Sequence, residues 1–379
     1  KVWNTFAGNA RNMPGTGQIR RIKSGGRSLT ERAAMKTISQ KQKTDKKGLC
    51  SRKMLLRTAL LILLVLSLLF YRDSLLDILK GIRLVTWNEL GAAILLALPG
   101  YLLEGLTIFR MTGTVASHSR RTDCVFIAFV CEFYRLTTLG NGSGIAEIHY
   151  LTKEKIEPGK ATTLTMIQYV MKRCAVMLLG VSGFLFLFQK ESTRALCRQY
   201  LPFMGAGCLI TVLVIAFILC LALSPKLAKA ALWLLSRLRD KIPSKTEFFR
   251  KWEEQIILLS RSGKHILLQK KKMAGVVCLQ TGKLILFYCI PACFLFGKTA
   301  LTAGECIALM ASAFMLAGII PAPSGAVSLE FVFLLFFAPF ADYRTVLPGI
   351  LLFRFATWVC PAAAGGIWLA GRRICRSTG

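Results

Sequence analysis

Between Ile320 and Glu330 the chain sets Pro321, Pro323 and Gly325 and then a carboxylate, with long apolar runs on both sides. Backbone broken by two prolines and a glycine leaves amide and carbonyl groups unpaired. Hydrocarbon cannot satisfy them, so such a break at membrane depth survives only inside protein or beside a water-filled cavity. An ionisable group just beyond the break marks a pathway or a binding site more often than a structural accident. The plainer reading is a short polar loop at the membrane surface with Glu330 capping in water, and the residues alone leave both open.

The flanking runs decide the solvent. Hydrophobic residues make up 54% of the 379, and apolar stretches near twenty residues recur, which implies an all-α polytopic membrane protein rather than a soluble enzyme. The net charge of +31, from 50 Lys and Arg against 19 Asp and Glu, raises nucleic acid as a partner. Its location argues otherwise. Residues 1–53 hold 14 basic and 2 acidic side chains and residues 225–272 hold 13 and 4, both outside the apolar runs. That is the pattern of cytoplasmic segments beside anionic headgroups, and no nucleic-acid-binding module accompanies it. The 13 cysteines contain no Cys-x-x-Cys pair and read as small buried apolar residues.

Along the chain, residues 1–53 read as a basic, disordered cytoplasmic tail, and because Lys1 is no initiator, Met35 and Met54 are candidate starts. A membrane domain over 54–371 follows, then a short basic tail over 372–379. Leu55 to Tyr71 is a first, uncleaved span. Leu84 to Phe109 is a second, interrupted at Pro99–Gly100 and carrying Glu104. Residues 122–152 suggest a helix that enters the membrane, breaks around Gly140, Gly142 and Gly144, and returns. Further spans are expected at 161–188, 201–223, 273–297 and 346–370, with 303–320 and 326–340 flanking the proline-rich break and a basic amphipathic cytoplasmic loop over 225–272. The count is about 7–9 transmembrane helices with two broken re-entrant segments and both termini cytoplasmic.

The two broken segments share an arrangement. Glu147 follows the glycine cluster and Arg173 lies 26 residues beyond it; Glu330 follows the proline cluster and Arg354 lies 24 beyond it. A topology that enters one break from each side makes this an inverted repeat, which gathers charged residues near the midplane around one site. The candidate headgroup-binding set is Arg173, Arg354, Glu147, Glu330, Lys172, His149 and Lys283. Arginine suits a phosphate because its planar fork binds bidentately and stays charged. The contrasting reading makes the Glu/Arg pairs, and Glu132–Arg135 above all, internally satisfied ion pairs that move nothing.

The run from Ile320 through Glu330 resembles the Pro-x-Pro-Gly-Gly-x-Gly-x-x-Glu signature of the lysylphosphatidylglycerol synthase/flippase transmembrane family, which includes the membrane half of the multiple peptide resistance factor. Leu351 to Trp358 with Pro361 resembles that family's Leu-Tyr-Arg-x-x-Thr-Phe-Trp-x-Pro. Gly140 to Glu147 and Lys172–Arg173 resemble its upstream half more loosely, with Ala146 before Glu147 and His149–Tyr150 after it; the whole likeness covers roughly residues 55–371. The resemblance implies a lipid translocase in the cell membrane. It would act on phosphatidylglycerol or lysylphosphatidylglycerol and bear on membrane charge and cationic antimicrobial peptides. It equally implies an alternative, a phosphatidylglycerol lysyltransferase component served by a separate aminoacyl-transferase domain, since nothing in the 379 residues resembles that domain; a non-transporting lipid-binding partner is a third. No cofactor or metal is expected, and the catalytic set is empty. The expected partners are membrane phospholipid, that separate domain and a second copy of the chain.

Overall fold

The computed structural model describes residues 85–115, 119–138, 142–241, 246–320 and 328–377. The chain divides into two units, 1–73 and 74–379, and every described residue belongs to the second. The expected tail over 1–53, the span Leu55–Tyr71, and the break residues Gly140, Pro321, Pro323 and Gly325 lie outside the described residues.

All the described elements are helical. In chain order they are α1 (Trp87–Thr112), α2 (Arg121–Thr137), α3 (Ser143–Lys153), α4 (Pro158–Gln189), α5 (Glu191–Leu223), α6 (Pro225–Lys241), α7 (Thr246–Leu267), α8 (Lys270–Leu295), α9 (Ala303–Ala317), α10 (Ser328–Phe337), α11 (Tyr343–Arg354) and α12 (Cys360–Ser377). Among the described residues, five helical stretches are long and apolar enough to cross a membrane, Tyr343–Arg372 counted as one, and α9 and α10 are shorter apolar helices. The helical phase stops after α2 and after α9 and resumes at α3 and α10. The second gap brackets the expected proline-rich break, whereas the first is narrower than expected, because Gly142 is the N-cap of α3 and Gly144 already lies within that helix. The protein is an all-α polytopic membrane protein with two broken helices.

α1 and α8 form the centre of the fold and run antiparallel. Lys298 just past α8 meets Glu89 at 2.6 Å, Lys283 meets Glu104 at 3.0 Å, and Lys272 donates to the Gly113 carbonyl at 2.8 Å. Numbers rise along one helix as they fall along the other. Each of these two helices opens a similar series: α1 leads to broken α2/α3 and long α4, while α8 leads to broken α9/α10 and the long α11–α12 pair. The long helices are exchanged. α4 lies on α9, with Gly180 against Met315 and Gly183 against the Ala308 backbone. α12 lies on α2, with Gly365 against the Phe129 carbonyl, Trp368 against Phe126 at 5.1 Å between ring centroids, and Arg372 on Asp123 at 2.6 Å. Antiparallel lead helices and this exchange describe an inverted repeat. Glycines at both crossings let backbones approach closely, which is how helices pack where apolar burial gives no advantage over lipid.

Two sequence expectations change. Pro99–Gly100 does not interrupt the second span, because α1 runs unbroken through it. A proline removes one hydrogen bond, and neighbouring helices compensate: Gly100 admits the ring of Phe287 from α8. The last span is not one α-helix either. A π-helical turn, Phe355–Val359, separates α11 from α12. Thr357 is where the cause lies. Its i+4 donor would be Pro361, which has no N–H, and the Thr357 carbonyl instead accepts from the Tyr101 hydroxyl of α1.

The expected basic loop is the helix pair α6 and α7. Arg239 reaches Glu253 through two hydrogen bonds of 3.0 and 2.8 Å and joins them. α7 seats Ile256, Leu259 and Ile266 in the core against α4 and α5, while Trp252 of α7 and Trp233 of α6 stay exposed.

Candidate functional site

Where the two repeats meet there is a cavity of about 430 Å³. Each repeat contributes equivalent parts. α3 and α10 present their first helical residues, Ser143 and Ser328, and the long helices present Arg173 and Arg354. Both helix N-termini therefore open on the same space, bringing partial positive charge and backbone N–H groups without an intrahelical acceptor. Arg135 of α2, Lys172 of α4 and Lys283 of α8 complete a ring of five cationic side chains among the described residues. The remaining wall is aromatic and aliphatic, with Phe287, Phe314, Leu329 and Phe353 prominent.

The carboxylates stand behind the cations. Glu330, in the first turn of α10, takes Arg354 bidentately, Nε to Oε1 at 2.5 Å and Nη2 to Oε2 at 3.0 Å. That guanidinium also stacks over Trp358, 4.0 Å from the ring centroid. Glu132 takes Arg135 at 2.7 Å, the local i, i+3 pair that the spacing implies. Glu104 is held from three directions: Lys283 at 3.0 Å and Gln280 at 2.8 Å from α8, and Gln168 at 3.3 Å from α4. None of these three carboxylates lines the cavity.

Lys172 and Arg173 differ from the other cations. Neither has a carboxylate within ion-pair distance among the described residues. Arg173 Nε donates to the Tyr169 hydroxyl at 3.0 Å one turn back. Gly318, at the end of α9, leaves room for its guanidinium, since a Cβ there would collide with Nη1.

Of the seven candidates drawn from sequence, Arg173, Arg354, Lys172 and Lys283 line the cavity and Glu330 backs it. Glu147 lies within electrostatic reach of Glu104 and Lys172, and its Oε1 is sealed from solvent without a hydrogen-bond partner, yet it is not part of the lining. His149 does not join them. It is exposed and packs edge-on against Tyr150, with ring centroids 5.4 Å apart. The reason is helical phase: residues two apart on α3 point to different faces, so His149 cannot follow Glu147 inward. Gly142 donates its N–H to the Thr138 hydroxyl at 2.6 Å, and a Cβ placed on Gly144 would make only ordinary contact with Thr165 of α4.

Tyr101, Tyr169 and Arg135 are absent from the sequence-derived set. Spacing makes Arg135 the partner of Glu132, although a paired arginine can still present its free edge to a ligand. Tyr169 sits four residues before Arg173, a spacing that places both on one helical face and is legible in the sequence. Tyr101 carries no comparable signal.

Comparison with known proteins agrees with this architecture. No curated protein matches the chain. The family model described as the lysylphosphatidylglycerol synthase TM region matches residues 54–365, which takes in the whole cavity lining and both repeats up to the first part of α12. This chain belongs to the lysylphosphatidylglycerol synthase TM region family.

Proposed function

We propose that the protein translocates phospholipid of the phosphatidylglycerol or lysylphosphatidylglycerol type between leaflets of the cell membrane, with the headgroup passing through the cavity between the repeats. The observation that carries this reading is the convergence of Arg173 and Arg354 with the N-termini of α3 and α10 on one space. Guanidinium forks and helix N-termini are two recurring protein devices for holding a phosphate. Arg173 and Arg354 bind the phosphate, Lys172 and Lys283 add charge, and Glu330 holds Arg354 when the lipid is absent. The broken helices supply hinges for alternating access. In this reading residues 54–371 are the translocating domain, multi-pass, with the basic segments 1–53, 225–272 and 372–379 on the cytoplasmic side, and with helix pair α6–α7 lying on that surface. Moving charged lipid outward would alter surface charge and resistance to cationic peptides.

The family description itself favours one alternative, a membrane component of lysylphosphatidylglycerol synthesis working with a separate transferase domain. Proteoliposomes separate the two. Fluorescent phosphatidylglycerol and lysylphosphatidylglycerol should equilibrate between leaflets faster with the protein than without it, and Glu330→Gln and Arg354→Ala should abolish that acceleration. No acceleration for either lipid would reject translocation and favour the synthase component.

A further inference from the structure

We infer that the cavity selects a phospholipid whose headgroup is net anionic, a phosphodiester without a compensating amine, over the aminoacylated cationic form. This rests on the lipid-handling reading above and names the substrate class for the same cavity.

The charge arrangement carries the inference. Five cations line the cavity among the described residues, and three of them are each matched by one carboxylate: Arg135 by Glu132 at 2.7 Å, Lys283 by Glu104 at 3.0 Å, and Arg354 by Glu330 at 2.5 Å. Lys172 and Arg173 are left over. They are adjacent on α4, both face the cavity, and neither has a carboxylate partner among the described residues. Lys172 has Glu104 and Glu147 within electrostatic reach but neither at ion-pair distance. A charge removed from bulk water without a closely paired counter-charge is costly, and a ligand bringing negative charge lowers that cost. The N-termini of α3 and α10 add positive potential of the same sign from both sides.

A cationic headgroup would find the opposite. An ammonium entering this space needs a carboxylate that faces it, and among the described residues none lines the wall. Glu104 is already engaged by Lys283, Gln280 and Gln168, and both oxygens of Glu330 by one edge of Arg354. Glu147, whose Oε1 has no hydrogen-bond partner, is outside the lining. The ammonium would instead sit among like charges, which disfavours it strongly against an anionic headgroup. The apolar remainder of the wall, Phe287, Phe314, Leu329 and Phe353, suits the glycerol and the first acyl carbons, which separates a lipid headgroup from free phosphate as the occupant.

The test is competition binding on the purified full chain in detergent. Short-chain fluorescent phosphatidylglycerol is the probe, and unlabelled short-chain phosphatidylglycerol, phosphatidic acid, lysylphosphatidylglycerol and inorganic phosphate are the competitors. Phosphatidylglycerol and phosphatidic acid are expected to displace the probe at concentrations roughly tenfold or more below lysylphosphatidylglycerol, with inorganic phosphate far weaker. The preference should shrink in Lys172→Gln and Arg173→Gln and survive in Lys172→Arg. Because the wild-type ranking alone decides the matter, a variant that fails to fold does not blunt the test. Equal or tighter binding of lysylphosphatidylglycerol would overturn the inference, even if translocation of that lipid is then observed. Displacement by inorganic phosphate as potent as by the lipids would overturn it in favour of a free-anion site. If the expected ranking is found but no lipid crosses the bilayer in proteoliposomes, the inference stands and translocation falls.

Discussion

Arg354, the last residue of α11, is clamped by Glu330, in the first turn of α10, through two parallel hydrogen bonds of 2.5 and 3.0 Å. The pair ties the broken helix of the second repeat to its long helix beside the cavity. Its bidentate geometry belongs to arginine alone among the cations, since lysine offers a point charge and no fork. Arg354→Lys should therefore insert in the membrane yet lose about tenfold or more in lipid translocation. Initial rates in proteoliposomes of equal protein content check this, and a wild-type rate would show that the fork is dispensable.

Lys283 and Glu104 join the two lead helices, with the Lys283 side chain 3% exposed. Breaking one side of a buried pair leaves an uncompensated charge and costs roughly 3–5 kcal/mol, whereas replacing both by groups of similar volume is far milder. Lys283→Met should lower the thermal midpoint in detergent sharply. Adding Glu104→Gln to that variant should recover much of the loss, giving a positive coupling in the double-mutant cycle. Simple additivity would mean the pair is not the link between α1 and α8.

Tyr101 contributes the donor that Pro361 cannot supply to the Thr357 carbonyl. Tyr101→Phe keeps the ring packed against Phe129 and Phe287 and removes only the hydroxyl. The orphaned buried carbonyl should cost about 1–3 kcal/mol. A depressed melting temperature without loss of membrane insertion is the expected result, and an unchanged one would show that another donor reaches Thr357.

The glycine crossings make a paired prediction. A Cβ on Gly365 would run into the Phe129 carbonyl of α2, and one on Gly183 would lie 3.0 Å from the Ala308 carbonyl of α9. Alanine at either should destabilise by roughly 1–3 kcal/mol through forced separation of the helices. Gly91 is also helical, but a Cβ there would meet nothing within 4 Å, so Gly91→Ala should be neutral or stabilising by up to about 1 kcal/mol. Melting curves of the three variants side by side test whether close backbone approach, rather than glycine content, holds the repeats together.

Much of the architecture was legible because hydrocarbon enforces it. Apolar runs of sufficient length become helices wherever backbone polar groups have no water, so the spans over 161–188, 201–223 and 273–297 needed no tertiary information. The amphipathic character of 225–272 followed in the same way. The Pro99 and Thr357 regions did not follow, because proline is a local signal whose outcome depends on what the neighbouring helix supplies. A ring from α8 fits beside Gly100 and a hydroxyl from α1 reaches Thr357, and neither is visible in the local sequence.

The sequence by itself determined that the chain is an all-helical membrane protein and that its arginines and carboxylates recur in two matched series, since both are properties of spacing along one covalent chain. Only the tertiary structure decided which charges are matched and which are left over. Glu132–Arg135 is a pair within one helix and could be read from i, i+3 spacing, but Glu104 meets Lys283 from 179 positions away, so no spacing announces that Lys283 is matched while Lys172 is not. His149 shows the same limit from the other side: proximity in sequence to Glu147 did not bring it inward, because a step of two along a helix turns the side chain away. Charge balance in a cavity is set by through-space neighbours on separate helices, and those exist only once the two repeats have packed.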